Sequence, residues 1–390
     1  MITGPPRPFF IVSTLLLLTF VWSCIQLKII SWTSSKRESP SLPTTTSPLD
    51  FSVPLLFKDG KPKPPGSNYS WVVVFPKTRA EDLLWFEIEV PEAQMIVYEV
   101  DNPKAEHTVP KNKGKEAMTY LTYLIDYYDD LPDIVIFLHA HKLTWHNNEL
   151  FEKETSPMIK RLNHDRVARL GYMNLRCHHD PGCPDWIHLD RPDGDLDLIR
   201  KPEEQYWSRR IWEELHPGAP IPQSLSATCC AQFAVTRDRI RQVPIERFHH
   251  YREWLINTDL LDEQSGRIFE YLWHYMFTGH EVYCPAQNTC YCDGYGICFG
   301  GLEKYDEYAQ RSIRREKDRK ALEVLVGQVW EAESRGESGE LIQRLRDKVD
   351  ELASAISEAD AWMRERRVEA FERGEDEESR TAETEEFFVG

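Results

Sequence analysis

Apolar residues fall in short dense runs through the first third of the chain and at helical spacing farther along. Trp71-Val72-Val73-Val74-Phe75 is β-branched and aromatic and predicts a buried strand. Ala80 to Phe86 predicts a short helix. Met95-Ile96-Val97-Tyr98-Glu99-Val100 predicts a second strand, closed by Asp101-Asn102. From Glu116 to Tyr128, Ala117, Tyr120, Leu121, Leu124, Ile125 and Tyr128 share one helical face. Asp133 to Leu138 is a third apolar run, and it stops abruptly at His139-Ala140-His141. Strand–helix–strand alternation predicts an α/β sheet with parallel strands. The stretch 142–225 is irregular, and Cys229 to Arg239 resumes a core-like pattern. Gly266 to Phe277 reads as one aromatic helix, and the Cys- and Gly-rich segment 284–301 closes the domain.

The rhythm changes again near 305. Leu345, Val349, Leu352, Ile356, Ala359 and Met363 follow alternating four- and three-residue steps, a heptad seam. Leu322, Leu325 and Val329 make a shorter stripe, and Arg335-Gly336-Glu337-Ser338-Gly339 breaks the pair into a hairpin. Such helices either pack on the main domain, self-associate, or stand solvated. From Gly374 the chain is acid-rich, which predicts disorder.

Phe9 to Leu27 is apolar and about the length that crosses a bilayer. It predicts a single-pass signal-anchor over 1–32, with a cleaved signal peptide as the alternative. A Ser/Thr/Pro-rich stem over 33–69 follows, then the α/β domain over 70–304, the charged helices over 305–373 and the acidic tail over 374–390. Asn68-Tyr69-Ser70 is a glycosylation acceptor motif. Eight cysteines beyond the membrane segment suggest disulfides in an ER, Golgi or other secretory lumen. For Cys284, Cys290, Cys292 and Cys298 a zinc site is the competing reading. The pairing is open. A net charge of −17 over 390 residues argues against a nucleic-acid binder.

Candidate chemistry gathers at the end of the third strand. Alternate residues of a strand share a face, so His139 and His141 are placed to meet one ligand, with His146 close by. Imidazole binds metals, shuttles protons or donates to phosphate. Lys111, Lys113 and Lys115 offer positive charge beside a helix start, where Gly114 permits close backbone approach. Asp193-Gly194-Asp195-Leu196-Asp197 reads mainly as turn residues.

These pieces in this order resemble a nucleotide-sugar transferase of the GT-A type, a Rossmann-related mixed-sheet fold. Val74-Phe75-Pro76 resembles its opening strand. The resemblance implies that Asp101 approaches the base or ribose, and that the loop Asn112-Lys113-Gly114-Lys115-Glu116 opens the next helix at the donor. His139-Ala140-His141 stands where that family has Asp-x-Asp holding a divalent cation. Two imidazoles suit Zn²⁺ or Mn²⁺ better than Mg²⁺; alternatively, charged imidazoles contact the diphosphate without a metal.

Over roughly 70–300 the chain also resembles a fungal membrane-anchored family catalogued as a domain of unknown function. The motifs are Leu131-Pro132-Asp133 through His141, Trp145-His146-Asn147, Cys229-Cys230-Ala231-Gln232-Phe233, and Gly266-Arg267 through Glu270 to Trp273. The Glu-x-x-Trp helix is similar to a late segment of glycosyltransferase-like proteins in which an acid faces the acceptor. On that basis Glu270 is the candidate general base and His146 a second catalytic group. Trp145 is a candidate acceptor-binding or positioning group, and Gln232 and Arg267 are candidate acceptor- or donor-positioning groups. The expectation is a lumenal, membrane-anchored glycosyltransferase-like enzyme using a nucleotide sugar and a glycan acceptor. One alternative is a metal-dependent hydrolase built on His146, His178, His179, His249 and His250 with the acids around Asp190. The other is a non-catalytic module that binds glycans or assembles through its C-terminal helices.

Overall fold

The computed structural model describes residues 49–192 and 195–383. The expected anchor over 1–32, the upstream part of the stem, the Asp193-Gly194 pair and the last seven residues lie outside these. Among the described residues, no helix is long and apolar enough to cross a membrane.

Five strands form a mixed sheet in the order β2-β1-β3-β6-β4. They are β1 (Trp71–Lys77), β2 (Gln94–Glu99), β3 (Ile134–Phe137), β4 (Tyr172–Asn174) and β6 (Phe233–Thr236). β1 runs parallel to both β2 and β3, with Val72 opposite Val135, while β6 is antiparallel to β3 and β4. A second, two-stranded sheet pairs β5 (Ser226–Ala227) with β7 (Val282–Tyr283).

Unbroken apolar runs form β1 and β3 because both faces of the sheet are covered. Val72, Val74, Val135 and Phe137 face one core, with Tyr120, Leu255 and Trp273. Val73, Phe75, Ile134 and Ile136 face the other, with Tyr291, Tyr305 and Met363. The helices that matter for the site are α1 (Leu84–Glu89), α2 (Glu116–Asp126), α3 (Ile245–Asn257), α4 (Asp262–Glu270), α5 (Trp273–Thr278) and α6 (Gln287–Tyr295). The aromatic segment expected as one helix from Gly266 to Phe277 is thus two. The Gly266–Glu270 half belongs to α4, whose Asp262 and Glu263 favour its N-terminal end.

The C-terminal helical region is a hairpin of α7 (Leu302–Ser334) and α8 (Gly339–Glu375). The heptad positions Leu345, Val349, Leu352 and Ala359 are half-buried, and Ile356 and Met363 are buried. Arg315 and Arg319 of α7 both grip Asp360 of α8 at 2.9 Å. The hairpin docks by its base: Phe299 meets Tyr305 and Tyr308, and the Cys298 N–H donates to Ala370 O. The disorder expected from Gly374 does not hold as far as Glu383. A further helix, α9 (Glu377–Ala382), follows, and Glu383 accepts from the Gly300 N–H. Asp376 caps α9 through the Ser379 N–H, so acid-rich sequence here starts a helix.

The stem residues within the described region lie against the domain. Phe51 is buried, the Gly60 N–H donates to Arg169 O at 3.0 Å, and Lys63 pairs with Asp133 at 2.6 Å. Asn68 of the glycosylation motif is exposed.

All eight of these cysteines are paired: Cys177–Cys290, Cys183–Cys284, Cys229–Cys230 and Cys292–Cys298. The zinc reading of Cys284, Cys290, Cys292 and Cys298 is thereby overturned, since a zinc-binding cysteine must be a thiolate. Four disulfides indicate an oxidising, secretory-like compartment.

Candidate active site

The chain runs from β1 to β2 on one side and reaches β3 on the other, so the strand order reverses between β1 and β3. Ligands of open α/β sheets bind outside the carboxyl ends of the strands at such a point. A cavity of about 190 Å³ opens beside the end of β3. His139, just past β3, and His146, on the following loop, line it. Lys115 and Glu116 enter from the N-terminus of α2, and Cys230 from the turn before β6. Glu263, Gly266, Arg267 and Glu270 of α4 complete the wall.

Local geometry explains how so many polar groups converge. Gly114 (φ +74°) and Lys115 (φ +53°) form a left-handed turn into α2. Asp262 accepts from the Lys115 N–H at 3.1 Å, and its carboxylate lies 3.0 Å from Lys115 Nζ. Gly266 lets α4 close on that turn, because a Cβ there would lie 2.9 Å from Lys115 Cγ. Opposite, Cys230 (φ +89°) and Ala231 (φ +50°) hold two more left-handed, non-glycine conformations. Such residues cost of order 1–3 kcal/mol each and cluster at functional sites.

Glu270 is fixed at both oxygens. Oε1 accepts from the Cys230 N–H at 2.8 Å, and Oε2 from Arg267 Nη1 at 2.7 Å. Burial raises its pKa, and Arg267 and the Cys230 N–H oppose that rise. Glu116 has less support: its own backbone N–H and, more weakly, Arg267 and Lys115 oppose the rise. Burial, with the Glu270 charge adding to it, pushes its pKa up to about 8, so it is a neutral carboxylic acid at pH 7. Burial pushes both carboxyls up, but only Glu270 has an arginine and the Cys230 N–H at its oxygens, an asymmetry of the kind that separates an acid from a base.

The imidazoles form a pair, but not the expected one. His139 Nδ1 lies 3.1 Å from His146 Nδ1. His139 Nε2 is buried without a hydrogen-bond partner and lies 4.0 Å from Glu116 Oε2. Burial lowers the pKa of His139 to about 3 and that of His146 to about 4. Both rings are therefore neutral near pH 7. Charged imidazoles on a diphosphate, one of the two sequence expectations, do not fit this environment. His141 departs from the pair: it is exposed, and its Nε2 lies 3.4 Å from Glu81.

A metal shared by His139 and His141 is therefore not assembled. Among the described residues, the triplets of metal-type donors that converge are Cys229, Cys230 and Glu270, and Cys292, Cys298 and Glu383. Their cysteines are in disulfides. The donor set at the end of β3 does not fit a resident divalent cation.

Other expected site residues have structural partners. Lys111 Nζ donates to Ile256 O at 2.7 Å and Lys113 Nζ to Thr258 O, so both close the C-terminal end of α3. Gly114 permits the close approach of Leu255 of α3. Asn112 and Asp101 are exposed and do not line the cavity; Asp101 accepts from the Arg79 N–H. Buried Gln232 positions the site from behind. It accepts from the His139 N–H at 3.2 Å and donates to Asn147 at 2.9 Å. Of the histidines of the hydrolase reading, His146 lines the cavity, whereas His178, His179 and His250 are bonded elsewhere. His178 contacts Tyr291, His179 bonds Pro285 O, and His250 bonds the carbonyls of Glu214 and Leu215. Asp195 and Asp197 pair with Arg191, as turn residues would.

Sequence reasoning misses Arg176 and the role of Cys230. The Cys229-Cys230 doublet is a visible signal for a braced turn, but no local pattern tells that its amide reaches Glu270. Arg176 carries no local signal; its contacts with Trp145 come from 31 residues away.

A family model described as "Protein of unknown function (DUF3431)" matches residues 73–293, more than half of the chain and every residue of the cavity wall. No curated protein and no solved structure matches the chain.

Proposed function

The chain belongs to the DUF3431 family of proteins of unknown function, and we propose that it is a glycosyltransferase-like enzyme that moves a sugar onto an acceptor hydroxyl. The observation that carries the reading is the pair of carboxyls, Glu270 and Glu116, on one cavity, of which Glu270 alone is fixed by an arginine and the Cys230 N–H.

In this reading Glu270 is the general base. Its fixed carboxylate takes the acceptor's hydroxyl proton as that oxygen bonds the anomeric carbon. The bond from that carbon to the leaving oxygen breaks, and its electron pair stays on the leaving oxygen. Neutral Glu116 donates a proton or hydrogen bond there. Each such role contributes roughly 10²- to 10⁴-fold to rate. Lys115 and Arg267 supply positive charge for a diphosphate leaving group. His139 and His146 stand beside Glu116 as neutral imidazoles paired at Nδ1, one donating and the other accepting.

The GT-A likeness supports a nucleotide-sugar donor: parallel β1, β2 and β3 precede the loop at the cavity, and the strand order reverses beside it. Full-length chain, with disulfides intact, would be incubated with nucleotide sugars and oligosaccharide acceptors, with and without Mn²⁺, Zn²⁺ or chelator. The expected result is release of nucleoside diphosphate with sugar transfer, reduced at least about 100-fold in Glu270→Gln. Turnover equal in Glu270→Gln and wild type would overturn the assignment. A folded protein that turns over no donor would overturn the function.

A further inference from the structure

Beside the cavity-lining His146 stands an aromatic side chain whose setting is not explained by folding alone. Trp145 is 50% exposed, while Asn147 and Asn148, two and three residues later, are fully buried. The loop is clamped from below: Asn147 donates to Thr155 Oγ1 at 2.8 Å, and Asn148 donates to Leu175 O at 2.7 Å and accepts from the Cys177 N–H at 2.8 Å. The indole lies against the cavity-lining ring of His146, with centroids 4.4 Å apart and planes at 69°.

Arg176 holds this tryptophan in place. Only 8% exposed, it donates from Nη1 to Trp145 O at 2.6 Å and from Nη2 to Asp180 O at 3.0 Å. Its guanidinium carbon stands 5.4 Å from the centre of the indole ring. A solvated tryptophan loses side-chain freedom when it binds a ligand; one already fixed loses less.

We infer that Trp145 is a stacking platform for an uncharged pyranose ring of the acceptor, next to the carboxyl-lined cavity. This rests on the sugar-transfer reading above and names the ligand class of that site. The polarised C–H face of a pyranose is attracted to the negative face of an indole. A cationic ligand is disfavoured, because Arg176 already places a positive charge against that ring. His146, uncharged beside the indole, offers ring nitrogen to a sugar hydroxyl without adding charge. Trp145 follows β3, and Arg176 follows β4, the edge strand opposite β2.

The test is calorimetric titration of the full-length chain with cello-, chito- and manno-tetraose, and separately with nucleoside diphosphates. One oligosaccharide is expected to bind. Trp145→Ala should weaken it about tenfold, Trp145→Phe markedly less, and neither should change nucleoside diphosphate affinity. Unfolding midpoints of both variants control for folding. Oligosaccharide affinity unchanged in Trp145→Ala would overturn the platform. So would nucleoside diphosphate affinity lost in its place, or no oligosaccharide bound by folded wild type. Trp145-dependent oligosaccharide binding without any sugar transfer would sink the proposed reaction and leave the platform standing. Transfer that is Glu270-dependent but Trp145-independent would do the reverse.

Discussion

The Nδ1 atoms of His139 and His146 face one another at 3.1 Å, and both rings are kept neutral by burial. One ring must donate and the other accept. If His139 donates, its bare Nε2 faces Glu116 Oε2 across 4.0 Å, beyond hydrogen-bond reach.

That pairing has a cost at low pH. Unfolded histidine binds a proton below about pH 6.5, whereas His139 in the fold resists protonation until about pH 3. Its stabilising contribution is therefore present above pH 6.5 and is lost as pH falls through that window. The loss is at most about 1.4 kcal/mol per pH unit. Denaturant unfolding from pH 7 to pH 4 should show a shallower decline in His139→Gln than in wild type. Parallel declines would refute the assignment.

Glu116 has the opposite sign. Its pKa rises from 4.5 in the unfolded chain to about 8 in the fold, so the unfolded state releases the proton first. Its contribution is present below pH 4.5 and is lost as pH rises toward 8, again by at most about 1.4 kcal/mol per unit. Glu116→Gln should gain stability relative to wild type at pH 8 compared with pH 5. Turnover, if limited by the neutral acid, should fall above pH 8, and the variant should lack that limb.

Gly266→Ala tests the closure of α4 on the α2 turn. The added methyl would meet Lys115 Cγ at 2.9 Å and Gly114 C at 3.3 Å. Overpacking of this kind costs about 1–3 kcal/mol. The unfolding midpoint should drop, and ligand binding at the cavity should weaken with it. An unchanged midpoint would mean that the turn gives way freely.

Gly374→Ala tests the docking of the hairpin. A methyl there would lie 1.9 Å from Gly296 O, a backbone atom that cannot swing aside. The variant should keep its helical circular dichroism. Limited proteolysis should cut it much faster than wild type around 370–383. Equal cleavage rates would show that the contact contributes little.

Non-reducing peptide mapping should recover Cys177–Cys290, Cys183–Cys284 and Cys292–Cys298 as linked peptides, and the Cys229–Cys230 peptide two mass units below its reduced form. Free thiols at any of these positions would contradict the pairing.

Much of the sheet is legible in the sequence because its signals are local. The runs at Trp71 and Asp133 are dense enough to announce buried strands, and the abrupt stop at His139 announces an edge. Glu270 is legible through the motif around it. His141 is misleading because the chain leaves the strand after Phe137, so the two-residue alternation no longer governs its direction. Lys111 and Lys113 mislead for another reason. Their acceptors lie 145 residues away at the C-terminal end of α3, and only tertiary packing decides whether a lysine meets a carbonyl or a phosphate. The tail from Gly374 reads as disordered from composition, yet its acids cap a helix and reach the Gly300 backbone.

The hairpin is gripped near its base, through Tyr305, Tyr308, Met363, Arg367, Ala370, Phe371 and Gly374. From Gly374 back to Gly339, α8 runs about 50 Å at 1.5 Å per residue. The far bend and the exposed Val326 and Trp330 of α7 therefore form the end of a lever arm. Lesions at that end should be genetically separable from lesions at the carboxyl-lined cavity.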